Sequence, residues 1–148
     1  MNKHQQSHFY KPGIPGADCY IGACGGFFEK LYRVPFSENG QSGRNLRKID
    51  PDFDEKTLMN ASTEVMYRPK TKRTQPTVAQ CLRDKEHIAF LRAEAARARA
   101  AGGRVTTVGA VSRDVCTRAG ITTDAEMPHP SGRNRRRWQD WVATRQTS

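Results

Sequence analysis

Apolar residues recur with helical spacing along one stretch of the chain. Between Pro76 and Gly103 they follow one another mostly at steps of three and four positions, which places them on one stripe of a helix. The stripe consists of Val78, Cys81, Leu82, Ile88, Leu91, Ala95 and Ala98. Because proline suits a first helical turn and the glycine pair 102–103 ends a helix, the pattern predicts one long helix of about 25 residues.

The second half of this helix carries only alanine on its apolar stripe. Ala95 and Ala98 bury little surface of their own, but they allow a close approach to another surface. Three arginines, at positions 92, 97 and 99, flank them and can reach acidic side chains on a partner. We therefore expect this half of the helix to dock on another protein.

Two shorter helices are predicted after residue 103. Three valines at positions 108, 111 and 115 lie at helical spacing. Gly120 follows them as a stop signal, which predicts a short helix over residues 112–119. The basic tail beyond residue 132 predicts a last helix, with Trp138 and Trp141 on one face as candidate partner contacts.

Residues 1–43 are rich in glycine, proline and aromatic residues. Seven of the twelve glycines of the chain lie here, together with Pro12, Pro15 and Pro35. Such a segment cannot run as one helix, and its apolar residues do not alternate as they do in a strand. Two interpretations stay open: a loop-rich cap on the helical part, or an extended arm whose rings dock into pockets of another protein.

Residues 44–75 are dominated by charge and predict a linker. Within it, one short helix is allowed over residues 51–59, and the basic, proline-flanked stretch 67–76 leads into the long helix. The predicted fold is mostly irregular and extended, with one long helix, one or two short helices and little independent core. Its segments are a docking arm (1–43), a charged linker (44–75), the long helix (76–103) and the short helices with a basic tail (104–148).

The composition also favours a protein that needs a partner. The 148 residues include 25 Lys and Arg against 15 Asp and Glu, a net charge of +10, and 36% are hydrophobic. Ordering one residue costs roughly 1–2 kcal/mol, and so few apolar residues are not expected to offset that cost alone. The positive charge is spread through all four segments, so it suits an acidic protein surface and a nucleic acid equally.

No arrangement typical of catalysis is recognisable in the sequence. The glycine-rich stretch 22–26 resembles a phosphate-binding loop but lacks the following Lys-Ser/Thr. Four residues have the chemistry to bind zinc: His4, His8, Cys19 and Cys24. Their spacing lacks the tight cysteine knuckle of structural zinc sites, and His129, between two prolines, is interpreted as a surface or packing residue. We expect a non-enzymatic protein with no metal, no cofactor and no small-molecule substrate.

The chain lacks the signals of membrane proteins and secreted proteins. No stretch approaches the roughly 18 apolar residues of a membrane span, and no secretory or transit signal is recognisable. The four cysteines are too scattered for a disulfide framework, so we expect reduced thiols. These features predict a cytoplasmic protein without membrane contact.

Part of the first segment resembles the short motif of a family of ciliary microtubule inner proteins. Four stretches carry the resemblance: Ile14-Pro15-Gly16, Tyr20-Ile21-Gly22, Phe27 to Tyr32, and Ser37-Glu38-Asn39-Gly40. The family motif reads Ile-Pro-Gly-Tyr-x-Gly, then an aromatic and basic stretch, then Gly-x-Thr-Tyr-Gly. Here residues 17–19 separate Ile-Pro-Gly from its tyrosine, and Glu-Asn-Gly replaces the closing Thr-Tyr-Gly.

The resemblance implies a structural protein that binds tubulin and neighbouring axonemal proteins in the lumen of doublet microtubules and stabilises them. It implies a place in the cytoskeleton, in the axoneme of a cilium or flagellum. The matching positions are Ile14, Pro15, Gly16, Tyr20 and Gly22, with Phe28 and Tyr32 as further anchors. The alternative is an RNA-binding ribosomal protein, cytosolic or organellar, whose basic tail and tryptophans contact nucleic acid.

Overall fold

A five-stranded sheet with helices on both faces forms the centre of the molecule. The structure, a computed structural model, describes residues 5–68, 70–130 and 134–147. For residues 145–147 it describes the backbone alone. Within these ranges the strands are β1 (Tyr10–Lys11), β2 (Cys19–Gly22), β3 (Thr57–Asn60), β4 (Val105–Val108) and β5 (Ala125–Met127). The helices are α1 (Phe27–Tyr32), α2 (Gln41–Ile49), α3 (Val78–Arg83), α4 (Lys85–Ala100), α5 (Ala110–Ala119) and α6 (Arg135–Thr147), and a 3-10 turn spans Phe53–Glu55.

The sheet is mixed but mainly parallel. Its strand order is β1-β3-β2-β4-β5, and in the described part of the chain β1, at one edge, is the one antiparallel strand. In register, Ile21 of β2 lies between Met59 of β3 and Thr107 of β4. The central strands are buried on both faces, which explains why their apolar and polar residues do not alternate.

Helices cover both faces of the sheet and form two cores. On one face α3, α4 and α5 pack against β2, β3 and β4. The buried residues at the centre of this core include Cys19, Ile21, Met59, Ile88, Leu91, Ala95, Val105 and Val115. On the other face α2 and α6 pack through Leu46 and Trp138 against Leu58 and Val108. The result is a three-layer α/β arrangement with its own hydrophobic interior.

The predicted fold, mostly irregular with one long helix and little independent core, is wrong. The first 60 residues supply β1, β2 and β3, and the last 45 supply β4 and β5. The sequence pattern misses the sheet because each strand is only two to four residues long. Short strands that are buried on both faces need few apolar residues each, so the low hydrophobic content is compatible with a packed core.

The predicted long helix consists of two helices. α3 ends at Arg83, and Asp84 leaves the helical conformation, with φ −83° and ψ 76°, before α4 begins. The Asp84 carboxylate accepts a hydrogen bond from His87 N at 3.1 Å, so it caps α4. The inner face of α4 packs on the sheet of its own chain through Leu91 and Ala95.

The remaining helices lie partly where the sequence predicts them. The short helix near residues 112–119 is present as α5 and ends at Gly120, which has φ 70°. A C-terminal helix is present as α6, whereas residues 51–59 hold the 3-10 turn and most of β3 in place of the predicted helix. No helix in the described ranges combines the length and the apolar character needed to cross a bilayer.

Candidate functional site

A crevice lies at the carboxyl edge of the sheet, where β2 and β4 end side by side. From β2 the chain continues through α1 and α2 to β3, and from β4 it continues through α5 to β5 on the opposite side. Connections that diverge from two neighbouring parallel strands leave an opening between them, where open α/β sheets bind their ligands. The fold therefore places the candidate site just outside Gly22 and Val108.

A cleft of about 1230 Å³ occupies this position. Its walls come from the loops after β2, β4 and β5, from the stretch 66–75 and from α6. The side chains with chemical capability among its lining residues include Cys24, Glu29, Phe36, Arg68, Lys72, Arg73, Arg113, Glu126, His129, Arg137 and Trp141. Residues from distant parts of the sequence thus meet at one edge of the sheet.

Gly22, the last residue of β2, brings an aromatic ring and a carboxamide together. A Cβ atom added at Gly22 would lie 2.5 Å from Phe36 Cζ and 2.7 Å from Asn60 Oδ1. Only glycine leaves room for both side chains at this point. Phe36 lines the cleft, and Asn60, beside it at the end of β3, is 1% exposed.

The loop that carries Phe36 is strained and held from two sides. Phe36 has φ 50°, a left-handed conformation that bulky residues rarely adopt. The Arg47 guanidinium donates a hydrogen bond to Phe36 O at 2.7 Å. The Glu29 carboxylate accepts hydrogen bonds from Ser37 N at 2.9 Å and from Gly26 N at 2.8 Å. Backbone strain that the surroundings enforce in this way is typical of functional sites.

Asn60 is fixed in one orientation. Its Nδ2 donates a hydrogen bond to His8 O at 2.9 Å, and its backbone carbonyl oxygen lies 2.7 Å from His87 Nε2. Exchange of the amide oxygen and nitrogen would break the bond to His8, so Oδ1 is the atom that faces Gly22. The bond to His8 O uses one N–H of this amide, and Asn60 lies next to Phe36 of the cleft wall without belonging to the lining itself.

His129 follows β5 and lies against the end of β4. A Cβ atom on Gly109, which has φ 90°, would lie 3.3 Å from His129 Cβ. Asn134 Nδ2 donates a hydrogen bond to His129 O at 3.0 Å, and Asn45 Nδ2 donates one to Pro130 O at 2.7 Å, so the loop is anchored. The Nδ1 atom of His129 is buried and has no hydrogen-bond partner within the described residues. Burial lowers the pKa of His129, which leaves the ring neutral at neutral pH.

The rim of the cleft is positively charged. Its cationic lining residues are Arg68, Lys72, Arg73, Arg113 and Arg137. Two carboxylates, Glu29 and Glu126, also line the cleft, but Glu29 is already engaged by two backbone N–H groups. The cleft therefore favours an anionic ligand.

Cys24 is a protonated thiol in the cleft wall. Its Sγ donates a hydrogen bond to Thr74 O at 3.3 Å, and burial raises the pKa of Cys24 to about 12. A thiol in this state is a poor nucleophile. Among the candidate zinc ligands, Cys19 is buried in the core and His4 lies outside the described residues. The described residues contain no group of three or more side chains that could hold a metal ion.

The partner contacts predicted in the first segment are dispersed in the structure. Ile14, Pro15 and Gly16 lie exposed in the turn before β2, at the amino edge of the sheet. Phe28 and Tyr32 are exposed on α1, which borders the cleft. Tyr20 is half-buried, and its hydroxyl donates a hydrogen bond to Asp50 at 2.9 Å, while Gly22 is the glycine at the cleft described above.

The partner contacts predicted later in the chain face mainly inward. Ala95 is buried against the sheet and Ala98 is partly buried beside it, so the alanine stripe is covered by this chain itself. Trp138 is buried in the second core. Trp141 stacks on Trp138 with ring centroids 5.2 Å apart, and it lines the cleft.

The sequence interpretation does not identify Phe36 and His129 of the cleft lining, or Asn60, which lies next to Phe36. A usable signal does exist for the loop after β2, because a short apolar run followed by the glycine-rich stretch 22–26 is typical of a strand that ends at a binding site. No comparable signal exists for Asn60 and His129, since only the strand order brings their loops to the same edge.

The chain matches no family model, and no curated protein matches it. What the fold and the cleft define is a class: an open, doubly wound α/β protein with a cationic cleft at the point where its strand order reverses.

Proposed function

We propose that the chain is an enzyme that binds one extruded nucleic-acid base in the cleft and hydrolyses the bond between that base and its sugar. The observation that supports this most is that the ring of Phe36, carried on a strained backbone, and the neutral imidazole of His129 line one cleft with a cationic rim. The fixed amide of Asn60 lies next to Phe36. Enzymes that act on a base move it out of the stack into a pocket and read it by stacking and hydrogen bonds. The proposal departs from the sequence-based expectation of a non-enzymatic protein.

The cationic side chains suit the phosphates of a nucleic-acid strand. Arg68, Lys72 and Arg73 are exposed on the stretch that follows β3, and Arg113 and Arg137 are exposed on α5 and α6. Guanidinium groups pair with phosphate oxygens through two parallel hydrogen bonds. A nucleic-acid strand that crosses the cleft is held by its phosphate groups, and one of its nucleotides turns into the cleft.

Phe36 and Asn60 suit the recognition of a particular base edge. Phe36, which is 7% exposed, lines the cleft with a ring on which a base can stack. The Asn60 amide beside it has one N–H donor and one oxygen acceptor besides its bond to His8. A base that presents a carbonyl oxygen next to a ring N–H, as uracil does, complements this amide. Cytosine presents the reverse order of donor and acceptor, and the hydrogen bond to His8 prevents the amide from turning to meet it.

His129 suits the stabilisation of the departing base. Water attacks C1′ of the sugar, the C1′–N bond breaks, and its electron pair leaves with the base as negative charge on a carbonyl oxygen. The proton lost by the water finally neutralises the base. A neutral imidazole N–H donates a hydrogen bond to that oxygen without giving up its proton, a contribution of about 10²–10³-fold in rate.

Base release from defined oligonucleotides tests the proposal. The substrates are labelled single strands and duplexes with one uracil, one hypoxanthine or, as the control, cytosine at the same position. Alkali converts each abasic site into a strand break that is quantified on a gel. We expect breaks at uracil and none at cytosine, and we expect His129→Ala and Asn60→Ala to lower the rate by about 10²-fold or more.

Matched controls separate chemistry from folding. Asn39→Ala removes an exposed amide outside the cleft lining and should keep wild-type activity. Thermal unfolding of each variant shows whether a loss of rate reflects loss of structure. Binding of all oligonucleotides without release of any base would contradict the enzymatic part of the proposal, and absence of binding would contradict all of it.

A docking role is the second candidate, and it is the one that the microtubule resemblance implies. The exposure of large apolar residues at Ile14, Phe28 and Tyr32 favours a protein contact. Under this candidate the chain binds tubulin in the axoneme and no nucleic acid. Co-sedimentation with microtubules, combined with no affinity for the oligonucleotides above, would favour it over the first.

A further inference from the structure

Helix α1 presents an apolar face to solvent beside the cleft. Phe27, Phe28, Leu31 and Tyr32, here called the α1 face, are 48%, 38%, 57% and 53% exposed. The helix borders the cleft directly, because Gly26 and Glu29 are among the cleft's lining residues. Large apolar side chains that gather on one exposed helix mark a contact surface for a partner.

Positive charge lies beside the α1 face, and Glu29, the acidic residue of the helix, is engaged by the backbone N–H groups of Gly26 and Ser37. Lys30 lies on the same helix, and Arg33 follows it. The Phe27 ring lies 5.5 Å from the Tyr67 ring, and Lys70 Nζ lies 5.8 Å from the centroid of Tyr67. Arginine and lysine side chains of the cleft rim continue this field along the stretch 68–73. A polyanion complements such a surface, whereas a second copy of this chain, with its own net charge of +10, is repelled.

We propose that the α1 face is a stacking platform for unpaired bases that neighbour the extruded nucleotide. This inference rests on the proposed function, because the platform receives the strand that enters the cleft. Aromatic rings in a cationic groove bind single strands of any sequence, since every base has a π face. In a duplex those faces are already stacked on each other, so the platform gives the protein a preference for single-stranded nucleic acid.

Paired substitutions on α1 test the platform. Phe27→Leu with Tyr32→Leu removes two rings but keeps the apolar character, and Phe27→Tyr with Tyr32→Phe keeps both rings. Affinity is measured by fluorescence anisotropy for a single strand and for its duplex, and stacking is measured by the quenching of 2-aminopurine placed beside a uracil. We expect the leucine variant to bind the single strand at least about fivefold more weakly for each ring lost, with the quenching abolished and duplex affinity little changed.

Two variants serve as controls. The ring-retaining variant should behave as wild type. Ile14→Ala removes an equally exposed apolar side chain at the amino edge of the sheet, far from the cleft in the fold, and should also change nothing.

The possible outcomes separate the platform from the proposed function. If the wild-type protein releases uracil while the leucine variant keeps its affinity and quenching, the platform is overturned and the proposed function stands. If the wild-type protein binds neither single strand nor duplex, both are overturned. If sedimentation shows that the wild-type protein is a dimer and the leucine variant a monomer, the α1 face contacts a second copy of the chain and the platform is overturned.

Discussion

Two histidines, His8 and His129, are held neutral inside the fold. Burial lowers the pKa of both, and the Nδ1 atom of each is buried without a hydrogen-bond partner within the described residues. The unfolded chain carries histidines of ordinary pKa, about 6.5, which take up protons more readily. Each ring therefore links the stability of the protein to pH.

The free energy of unfolding should fall as the pH is lowered below about 6.5. Between that pH and the lower pKa of the folded state, the unfolded chain binds more protons than the folded chain, so acid favours unfolding by at most about 1.4 kcal/mol per pH unit for each ring. His129→Gln should make this dependence shallower. Urea unfolding of the wild-type protein and of His129→Gln across this pH range measures how the free energy of unfolding depends on pH. Identical slopes for the two proteins would contradict the burial of a neutral ring.

On the scale of a secondary-structure element, Asp84 divides one predicted helix into two. Its carboxylate caps α4 through His87 N and also accepts a hydrogen bond from Thr63 Oγ1 at 3.4 Å. The break separates α3 from α4, and residues of both helices pack in the same core. Asp84 therefore determines where α3 ends and α4 begins.

Asp84→Ala should destabilise the protein by about 1 kcal/mol, because an N-cap oxygen is lost and one backbone N–H at the start of α4 stays unpaired. Asp84→Asn is the matched control. Asparagine caps a helix nearly as well as aspartate, so this variant should keep most of the stability. Urea unfolding measures both, and equal stability of the alanine variant and wild type would mean that the cap contributes nothing.

The elements that the sequence predicts are those with a local signal. The valines at 111 and 115 and the glycine at 120 mark α5 within one window of the chain. The strands have no such signal, because a run such as Val105–Val108 is too short to show a period and its neighbours in the sheet lie far away in sequence. Ala95 illustrates the same limit. The sequence shows that Ala95 lies on the apolar stripe of a helix, but it does not show that this stripe packs on the sheet of the same chain.

The cleft is even less visible from the sequence. Phe36 lies in a loop, Asn60 ends a strand and His129 lies in a loop between two prolines, and none of these settings is unusual. Their chemistry arises only when the strand order places three loops at one edge. The strain at Phe36 is a property of the backbone, which no residue pattern records.

On the scale of the whole molecule, a buried polar group ties the first strand to α4. Tyr10 OH donates a hydrogen bond to Glu94 Oε1 at 2.6 Å, across 84 positions of sequence. Arg97 pairs with the same carboxylate. Tyr10 and Glu94 are both buried, and burial raises the pKa of Tyr10 to about 12. The edge strand is thus fixed to a helix as well as to the sheet.

Tyr10→Phe should lower the free energy of unfolding by about 1–3 kcal/mol, because the buried Glu94 carboxylate loses a hydrogen bond. Tyr32→Phe removes an exposed hydroxyl and should change the stability by less than about 0.5 kcal/mol. Urea unfolding compares the two. A loss as small for Tyr10→Phe as for Tyr32→Phe would show that water replaces the missing partner.

The strand order also has a consequence for biosynthesis. β2 lies between β3 and β4, and both of these neighbours are translated after it. Until β4 leaves the ribosome, β2 keeps one open edge of unpaired N–H and C=O groups on a strand of buried apolar residues. Such an edge is prone to pair with other chains in incompletely folded proteins. The strands synthesised last therefore determine whether the strands synthesised first become the interior of a protein or a nucleus for aggregation.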